Sequence, residues 1–432
     1  MPENRADFIV AGSSKSICEV AQPATDICYS RAVLEAFYVV IILQIAVGVY
    51  SLWNGFEWVR RVRARLTSHA GFYTPQAALI CPCKGNERGL EENLLALTRF
   101  DYPNYEIYFA LATSLDPALK IIERVKAASQ RPVHILIAGP PEDCGEKVFN
   151  LRRTVEGLPE KFEVLVFADS DARLPRGWLT KLVAPLQNIQ VGATTGYRWI
   201  FPSGTGMGML ASAVASAWNA AVATLLGKPK RNFCWGGATA IRRKTFDDVN
   251  VLEAWKGAVS DDFALTNALQ QANRPIVFCS ECFAATVHPW TWTELLEFTN
   301  RQMLITRVYS NRRWLLGGLM NLAYALSMFY AAYVILYCMV DGDPWSQLVL
   351  VALAVPLLAA MKGGLRVVAI NEAIPEWRVK LPETSVACVL LAPVVPFLFA
   401  WNFVASSISK RIRWRGIRYE LISPNSTRIV KR

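Results

Sequence analysis

Two carboxylates in the middle of the chain have a spacing that suits metal chemistry. Asp169-Ser170-Asp171 follows the apolar, β-branched run of residues 164–167, and Pro175 and Gly177 come after the acidic pair. An apolar run bounded in this way predicts a buried strand. Carboxylates one residue apart at the end of a strand point the same way. Mg²⁺ or Mn²⁺ takes one or two carboxylates and completes its shell with phosphate oxygens and water. The pattern therefore predicts a metal–diphosphate site, with an acidic surface loop as the alternative.

The composition predicts a membrane protein with room for one soluble domain. Of the 432 residues, 53% are hydrophobic, and the mean hydropathy of +0.24 is high for a soluble protein. Nucleic acid is one explanation for the net charge of +11, but the basic residues cluster beside apolar runs, as they do at an anionic membrane face. We therefore expect a membrane as a partner and no nucleic acid.

An apolar run at residues 32–54 predicts the first transmembrane helix, after an N-terminal tail at residues 1–31. Four arginines follow this run: Arg60, Arg61, Arg63 and Arg65. By the positive-inside rule, the domain that comes next is expected in the cytoplasm. The alternative is a buried helix in the core of a soluble protein.

Residues 72–288 have the pattern of one α/β domain. Four apolar runs predict strands, at residues 77–80, 105–110, 133–137 and 164–167, and helices are predicted between them, at residues 91–99 and 118–129. This alternation predicts a largely parallel sheet that binds ligands at the carboxyl ends of its strands. Residues 207–226 are almost uncharged and rich in alanine. We interpret them as a buried or interfacial helix rather than as a span.

The chain becomes membrane-like again after residue 288. Residues 289–313 are amphipathic and predict an interfacial helix, and residues 314–408 predict a transmembrane helical region with apolar runs at 315–340, 344–361 and 386–406. Pro393 and Pro396 interrupt the third run. We therefore expect this run to enter and leave the membrane on the cytoplasmic face, which leaves three full spans in all. The basic tail at residues 409–432 is then cytoplasmic as well.

Six short motifs follow one another along the chain: PCKGNE at 82–87, DPA at 116–118, KVFNL at 147–151, DSD at 169–171, SDD at 260–262 and WRGIRY at 414–419. Taken in order, they resemble those of inverting nucleotide-sugar glycosyltransferases with a GT-A fold. The likeness is greatest to ceramide glucosyltransferases and their bacterial relatives, of the glycosyltransferase family 2/21 type. Each motif alone is common, but the ordered set is specific. The resemblance implies a GT-A (nucleotide-diphospho-sugar transferase) domain between one N-terminal transmembrane helix and a C-terminal region of transmembrane and interfacial helices.

The resemblance also implies a role for each candidate site residue. Asp169 and Asp171 are the metal pair for Mg²⁺ or Mn²⁺, and Asp262 is the general base that takes the acceptor proton. The donor-binding residues are Glu87, Asp116, Lys147, Asp169, Arg301, Gln302 and Arg307. The acceptor-binding residues are Trp235, Gly236, Gly237 and Asp261, of which the glycines allow close approach of the backbone. The alternative for Glu87 and Asp116 is a solvated loop carboxylate, and for Lys147 a surface lysine. The alternative for Asp261 and Asp262 is helix capping. For Arg301 and Arg307 it is snorkelling at the interface.

Two departures from the family pattern bear on the function. Thr113 and Ser114 stand where the family often has an aspartate, and residues 301–305, RQMLI, lack the family's Arg-Trp pair. In processive polysaccharide synthases that tryptophan helps to hold the acceptor chain, so its absence argues against polymer synthesis. The sequence therefore predicts an inverting enzyme that moves a hexose, with glucose expected, from a UDP-sugar to a lipid hydroxyl such as that of ceramide. A polysaccharide synthase and a non-catalytic nucleotide-binding membrane protein are the alternatives.

Overall fold

A mixed seven-stranded sheet forms the centre of the α/β domain in the computed structural model, which describes residues 24–66, 73–229, 231–342 and 344–431. Its strands are β1 (Ala77–Pro82), β2 (Tyr105–Leu111), β3 (Val133–Ile137), β4 (Val164–Ala168), β5 (Ala193–Phe201), β6 (Ala238–Arg242) and β7 (Ile276–Val287). They lie in the order β3-β2-β1-β4-β6-β5-β7. Only β6 runs antiparallel to its neighbours among these strands. The sheet is therefore largely parallel, and all four predicted strands are confirmed.

Helices precede, cover and follow this sheet in the described residues. They are α1 (Ala24–Leu66), α2 (Leu90–Leu97), α3 (Ala118–Ala128), α4 (Glu146–Glu156), α5 (Trp178–Val183), α6 (Gly206–Ala223), α7 (Arg243–Asp248), α8 (Val251–Ala254), α9 (Asp261–Gln271), α10 (Trp292–Tyr309), α11 (Asn311–Asp341), α12 (Ser346–Ala373), α13 (Leu381–Leu390) and α14 (Val395–Ile408). The two helices predicted between the first strands are confirmed as α2 and α3. Helix α12 continues well past the apolar run that predicted it.

The sheet is buried on both faces because β1 and β4 are apolar at consecutive positions. Ala77, Leu79 and Cys81 of β1 pack on the face that α2, α3 and α5 cover, whereas Ala78 and Ile80 pack against α4 and α9 on the other face. A continuous apolar run is the pattern of a strand between two layers. The polar residues are left to the loops at the strand ends, which is where a site can form.

Four helices of the described residues are long and apolar enough to cross a membrane: α1 from Arg31 onward, α6, α11 and α12. Half of the residues of α6 are buried inside the protein, and the Ser216 hydroxyl donates a hydrogen bond to the carbonyl of Ile200 in β5. Helix α6 thus packs on the sheet, in keeping with its interpretation as a buried or interfacial helix. Helices α1 and α12 pack closely, since a Cβ at Gly48 would lie 2.8 Å from Cδ1 of Leu358.

A sharp bend interrupts the last apolar run. The helical segment Pro375–Leu390 and α14 make an angle of 70°. Pro393 lies in the break, and Pro396 lies in the first turn of α14, where the missing N–H is tolerated. The bend therefore lies where the two prolines predicted an interruption.

The basic tail folds into a second, antiparallel sheet of three strands: β8 (Arg411–Trp414), β9 (Ile417–Ser423) and β10 (Ser426–Lys431). The Tyr419 hydroxyl accepts a hydrogen bond from the backbone N–H of Glu146 at 3.2 Å. The Tyr309 hydroxyl donates one to the carbonyl of Pro424 at 2.8 Å. Because this sheet docks directly on the α/β domain, the tail and that domain lie on the same side of any membrane that the helices cross.

Candidate active site

Asp169 and Asp171 lie at the carboxyl end of β4 and point toward one position. The Nη2 atom of Arg198 is 3.0 and 3.1 Å from the two carboxylate oxygens of Asp171 and 3.3 Å from Oδ2 of Asp169. One cationic nitrogen therefore contacts both carboxylates. Burial alone would raise the pKa of the Asp169 carboxyl, but Lys147 and Arg198 stabilise its charged form and hold the pKa below its usual value.

The two carboxylates fit a divalent cation that a diphosphate also holds. Within the described residues, no group of three or more His, Cys, Asp or Glu side chains forms a metal site by itself. A cation that shares its shell between one or two carboxylates, phosphate oxygens and water does not need such a group. The convergence of Asp169 and Asp171 on one nitrogen of Arg198 shows that these two side chains are able to share a cation.

Lys147 joins Asp169 to Asp261, which with Asp262 forms a second acidic pair. It lies in the first turn of α4, and its Nζ atom is 2.8 Å from Oδ1 of Asp169 and 3.3 Å from Oδ2 of Asp261. Burial would lower the pKa of Lys147, but Asp169, Asp261 and Asp262 raise it, so the ammonium stays charged. Burial, with the charges of Asp262 and Asp169, raises the pKa of Asp261 to about 6 against the opposing effect of Lys147.

Asp262 is held by the start of α9. Its Oδ1 atom accepts hydrogen bonds from the backbone N–H of Phe263 at 2.8 Å and from the Ser260 hydroxyl. Its Oδ2 atom is 3.5 Å from the backbone nitrogen of Gly236 and is therefore the less engaged oxygen. The N-terminus of a helix favours a negative charge at this position. Of the two neighbouring aspartates, Asp262 has the freer carboxylate, because Asp261 is buried against Lys147.

Gly236 and Gly237 bring the backbone against the charged side chains. A Cβ at Gly236 would overlap Oδ2 of Asp261 and lie 2.7 Å from Nζ of Lys147. A Cβ at Gly237 would lie 2.6 Å from Oδ2 of Asp169. The close backbone approach predicted for these glycines is thus present, but it is directed at the charged side chains of Lys147, Asp169 and Asp261. These side chains line a cavity of the protein, and its described lining includes neither glycine.

Trp235, next to these glycines, does line the cavity. The centre of its ring is 5.4 Å from the guanidinium carbon of Arg198, and Tyr197 packs edge-on against it at 5.9 Å. The backbone N–H of Trp235 donates a hydrogen bond to the Thr195 hydroxyl at 3.0 Å. The indole is therefore fixed beside the arginine that contacts the metal pair.

Asp116 supports the loop that follows β1 and contains Gly85 and Glu87. Asp116 itself is absent from the described cavity lining. Its Oδ1 atom accepts hydrogen bonds from the backbone N–H groups of Gly85, at 2.8 Å, and Ala118, at 2.9 Å. Gly85 has a φ of 72°, which favours a residue without a Cβ. Glu87 in the same loop lines the cavity, 3.0 Å from Nη2 of Arg415. Burial raises the pKa of the Glu87 carboxyl, and Arg415 opposes that shift.

Arg301 and Gln302 line the cavity from α10. The guanidinium of Arg301 stacks on the ring of Trp414, 5.3 Å from its centre. Burial, together with the like charges of Arg198 and Arg415, lowers the pKa of Arg301 to about 10. A half-buried guanidinium among other cations is well suited to bind a diphosphate, which accepts paired hydrogen bonds from arginine.

The structure does not bring Arg307 to the other predicted donor-binding residues. Its guanidinium donates hydrogen bonds to the carbonyls of Ser406 and Ser409 at the end of α14. It also faces the ring of Trp314, at 5.8 Å. Arg307 is absent from the described lining of the cavity and supports the end of α14 instead.

Two arginines of the site, Arg198 and Arg415, received no role from sequence reasoning. Arg198 is the one charged residue of β5, and a lone cation in an apolar strand is a signal that would have identified it. Arg415 lies at the turn between β8 and β9, where its Nη1 atom donates a hydrogen bond to the carbonyl of Lys84 at 3.0 Å. It lies inside the WRGIRY motif that the sequence identifies, but its contacts with Lys84 and Glu87 do not follow from the sequence.

One cavity of about 1580 Å³ connects the charged cluster with the apolar helices. Its polar end contains the carboxylates and cations of the α/β domain described above. Its other end is lined by residues of four apolar helices, among them Gln44 and Ser51 of α1, Tyr324 of α11, Leu358 and Lys362 of α12, and Val395 and Phe399 of α14. The site is therefore continuous with the part of the protein that is suited to a bilayer.

Comparisons with known proteins identify similar chains. The chain matches the family model described as glycosyl transferase family 21 over residues 36–426. A comparison with curated protein sequences finds no significant match. A mannosyltransferase from Pyrobaculum calidifontis, solved with GDP-Man and Mn²⁺, is similar with a TM-score of 0.41 and 15% identity, over 83% of this chain and 98% of that one. Glucosyl-3-phosphoglycerate synthase from Mycobacterium tuberculosis, solved with Mn²⁺, uridine diphosphate and glucosyl-3-phosphoglycerate, is similar with a TM-score of 0.33 and 13% identity, over 56% of this chain and 85% of that one.

Proposed function

Because the chain belongs to glycosyltransferase family 21, we propose that it is an inverting hexosyltransferase that moves glucose from UDP-glucose to the hydroxyl group of a membrane lipid such as ceramide. The observation that carries this proposal is the continuous cavity between the charged cluster and the apolar helices. A water-soluble donor has access to the polar end, and a lipid has access to the other. A sugar transferase for two soluble substrates has no need of the second end.

The donor is proposed to bind with its diphosphate among the cations of the polar end. Arg301 is half-buried and stacks on Trp414, and Lys147 is held charged by the carboxylates around it. Glu87 and the loop that Asp116 supports face the nucleoside. A Mg²⁺ or Mn²⁺ ion at Asp169 and Asp171 would neutralise charge on the departing diphosphate.

Asp262 is proposed as the general base. In an inverting displacement, the acceptor hydroxyl attacks the anomeric carbon from the face opposite the leaving diphosphate, and a carboxylate removes the hydroxyl proton. Phe263 and Ser260 hold one oxygen of Asp262, which orients the other for this task. Asp261 is proposed to fix Lys147, because Asp261 is buried and its Oδ2 atom lies 3.3 Å from Nζ of Lys147.

The active site is proposed to face the cytoplasm. Arginines follow the first apolar run, and positive charge is retained on the cytoplasmic side. The tail sheet contacts the α/β domain, so the chain between residues 288 and 411 makes an even number of crossings. Helices α11 and α12 supply two. The bent pair of α13 and α14 then returns to the side from which it entered, as its prolines predicted.

The test uses the full-length protein in bilayers of phosphatidylcholine and phosphatidylglycerol, with UDP-glucose and Mn²⁺. We expect ceramide to stimulate release of UDP, and mass spectrometry to show a lipid that is heavier by one hexose. Asp262→Asn should lose this activity, and Asp248→Asn, which alters an exposed ion pair with Lys244, should keep it. A polymeric product, or UDP release that no lipid stimulates, would contradict the proposal.

A further inference from the structure

Helices α1, α11 and α12 contribute cations but no acids to the described lining of the cavity. Among the cavity-lining residues that α1, α11 and α12 supply, every charged residue in the described part is basic: Arg313, Lys362 and Arg366. The carboxylates of the cavity lie instead in the α/β domain and on α10. Charges within membrane helices are costly and usually mark a binding or transport function.

Lys362 and Arg366 lie one helical turn apart and are incompletely paired. The Nζ atom of Lys362 donates a hydrogen bond to the neutral Ser51 hydroxyl at 2.7 Å, which uses one of its three donors. The charged groups that face Lys362 are cations too, Arg366 and Lys228. Arg366 is only 7% exposed, and its buried Nε has no hydrogen-bond partner among the described residues. A buried cation without a counter-ion is unfavourable, so an anion at this position would be stabilised.

The depth of the two cations matches a lipid headgroup. Helix α12 begins at Ser346, after the turn that follows α11. With a rise of 1.5 Å per residue, Lys362 lies about 24 Å and Arg366 about 30 Å along the helix, close to the opposite boundary of a hydrocarbon core of about 30 Å. The nearby acid Glu372 is already engaged by Arg63, at 2.6 Å. The two cations therefore lie at the level of lipid phosphates on the side of the α/β domain.

We propose that Lys362 and Arg366 form a subsite, beside the path of the acceptor, that binds the phosphate group of an anionic bilayer lipid. The proposal rests on the proposed function in treating this end of the cavity as the way in for a lipid. Apolar lining residues such as Leu358 and Val355 are suited to acyl chains, which a free phosphate ion lacks. For this reason we assign the bound phosphate to a lipid headgroup and not to a free phosphate ion.

The experiment compares ligands on the full-length protein in a neutral detergent. Phosphatidylglycerol, phosphatidylcholine and inorganic phosphate are titrated, and bound ligand is counted by native mass spectrometry. We expect selective retention of phosphatidylglycerol. Lys362→Gln and Arg366→Gln should each weaken it about fivefold, in line with the contribution of one basic residue at an anionic membrane surface. Arg366→Lys should restore most of the binding, and the exposed Arg378→Gln should leave it unchanged.

The outcomes separate the subsite from the enzyme. Equal retention of phosphatidylcholine, equal loss in Arg378→Gln, or displacement of the lipid by inorganic phosphate would overturn the subsite. Thermal unfolding of each variant shows whether a loss comes from misfolding, and Lys362→Gln tests the subsite independently if Arg366→Gln does not fold. Selective binding without any lipid-stimulated UDP release would support the subsite and refute the proposed function. Lipid-stimulated UDP release with unaltered phosphatidylglycerol binding in both variants would support the proposed function and overturn the subsite.

Discussion

Asp262→Asn tests the chemistry of the site most directly. The substitution keeps the shape of the side chain and replaces one oxygen by a nitrogen that cannot accept a proton. The retained oxygen can still accept hydrogen bonds from the backbone of Phe263 and from the Ser260 hydroxyl, so the start of α9 should remain intact. The ability to remove a proton from the acceptor is lost together with the negative charge.

The expected loss of rate is much larger than the expected loss of stability. General base catalysis contributes a factor of roughly 10²–10⁴, which corresponds to about 3–5 kcal/mol of transition-state stabilisation. The free energy of unfolding should change by about 1 kcal/mol, because two hydrogen bonds to a carboxylate become hydrogen bonds to an amide and a favourable charge leaves the helix N-terminus. The value of kcat should therefore fall by two to four orders of magnitude in a protein that remains folded.

The assay measures UDP release with saturating acceptor lipid, the KM for UDP-glucose, and UDP binding by calorimetry. We expect nearly normal UDP binding in Asp262→Asn. Asp261→Asn is the informative comparison, since it removes the neighbouring carboxylate that contacts Lys147. Near-normal kcat in Asp262→Asn together with an inactive Asp261→Asn would refute the assignment and transfer the base to Asp261.

The remaining predictions address the metal, the glycine turn, the pH dependence and the topology. Asp171→Asn should raise the Mn²⁺ concentration needed for half-maximal activity, and a chelator should inhibit the parent enzyme; full activity in chelator would remove the metal role. Gly236→Ala should lower kcat by roughly 10²-fold while the protein still folds, because the new Cβ displaces Asp261 and Lys147 and catalysis is sensitive to shifts of about 1 Å. The raised pKa of Asp261 means that the folded state binds a proton more tightly than the unfolded state, so its contribution to the free energy of unfolding is present below about pH 4 and is lost as the pH rises to about 6. Chemical denaturation across this range should show that loss in the parent and not in Asp261→Asn. With Cys18 and Cys28 of the N-terminal segment replaced by serine, a cysteine at Ser426 should resist an impermeant thiol reagent in intact cells and react after permeabilisation. Labelling in intact cells would contradict the cytoplasmic assignment.

The sequence alone determined the elements that depend on near neighbours in the chain. The apolar runs of β1 to β4 form buried strands because consecutive apolar residues suit a sheet covered on both faces. The helices α11 and α12 follow from long uncharged runs, and the bend before α14 follows from Pro393 and Pro396. The resemblance to the ceramide glucosyltransferase family, built on six ordered motifs, is confirmed by the family match.

The tertiary structure alone decided how the charges of the site are paired. Arg198 reaches Asp169 and Asp171 because β5 carries it to their end of the sheet, although its strand reads as apolar in the sequence. Arg415, near the end of the chain, contacts the loop after β1 at Lys84. It is carried there by the three-stranded sheet, which the sequence presented only as a basic tail. The direction of Arg307 was likewise decided by the carbonyls at the end of α14.

The physical reason for this division is the range of the interactions. Strands, spans and proline bends arise from periodicity and backbone preference within a few residues. An ion pair such as Lys147 with Asp169 depends on burial and on the sum of all nearby charges, which exist only once distant segments have been assembled. The acidic motifs could therefore be recognised from the sequence, whereas the ion pairs that Lys147 and Arg198 make with them, and the cavity that leads from them to the apolar helices, were products of the fold.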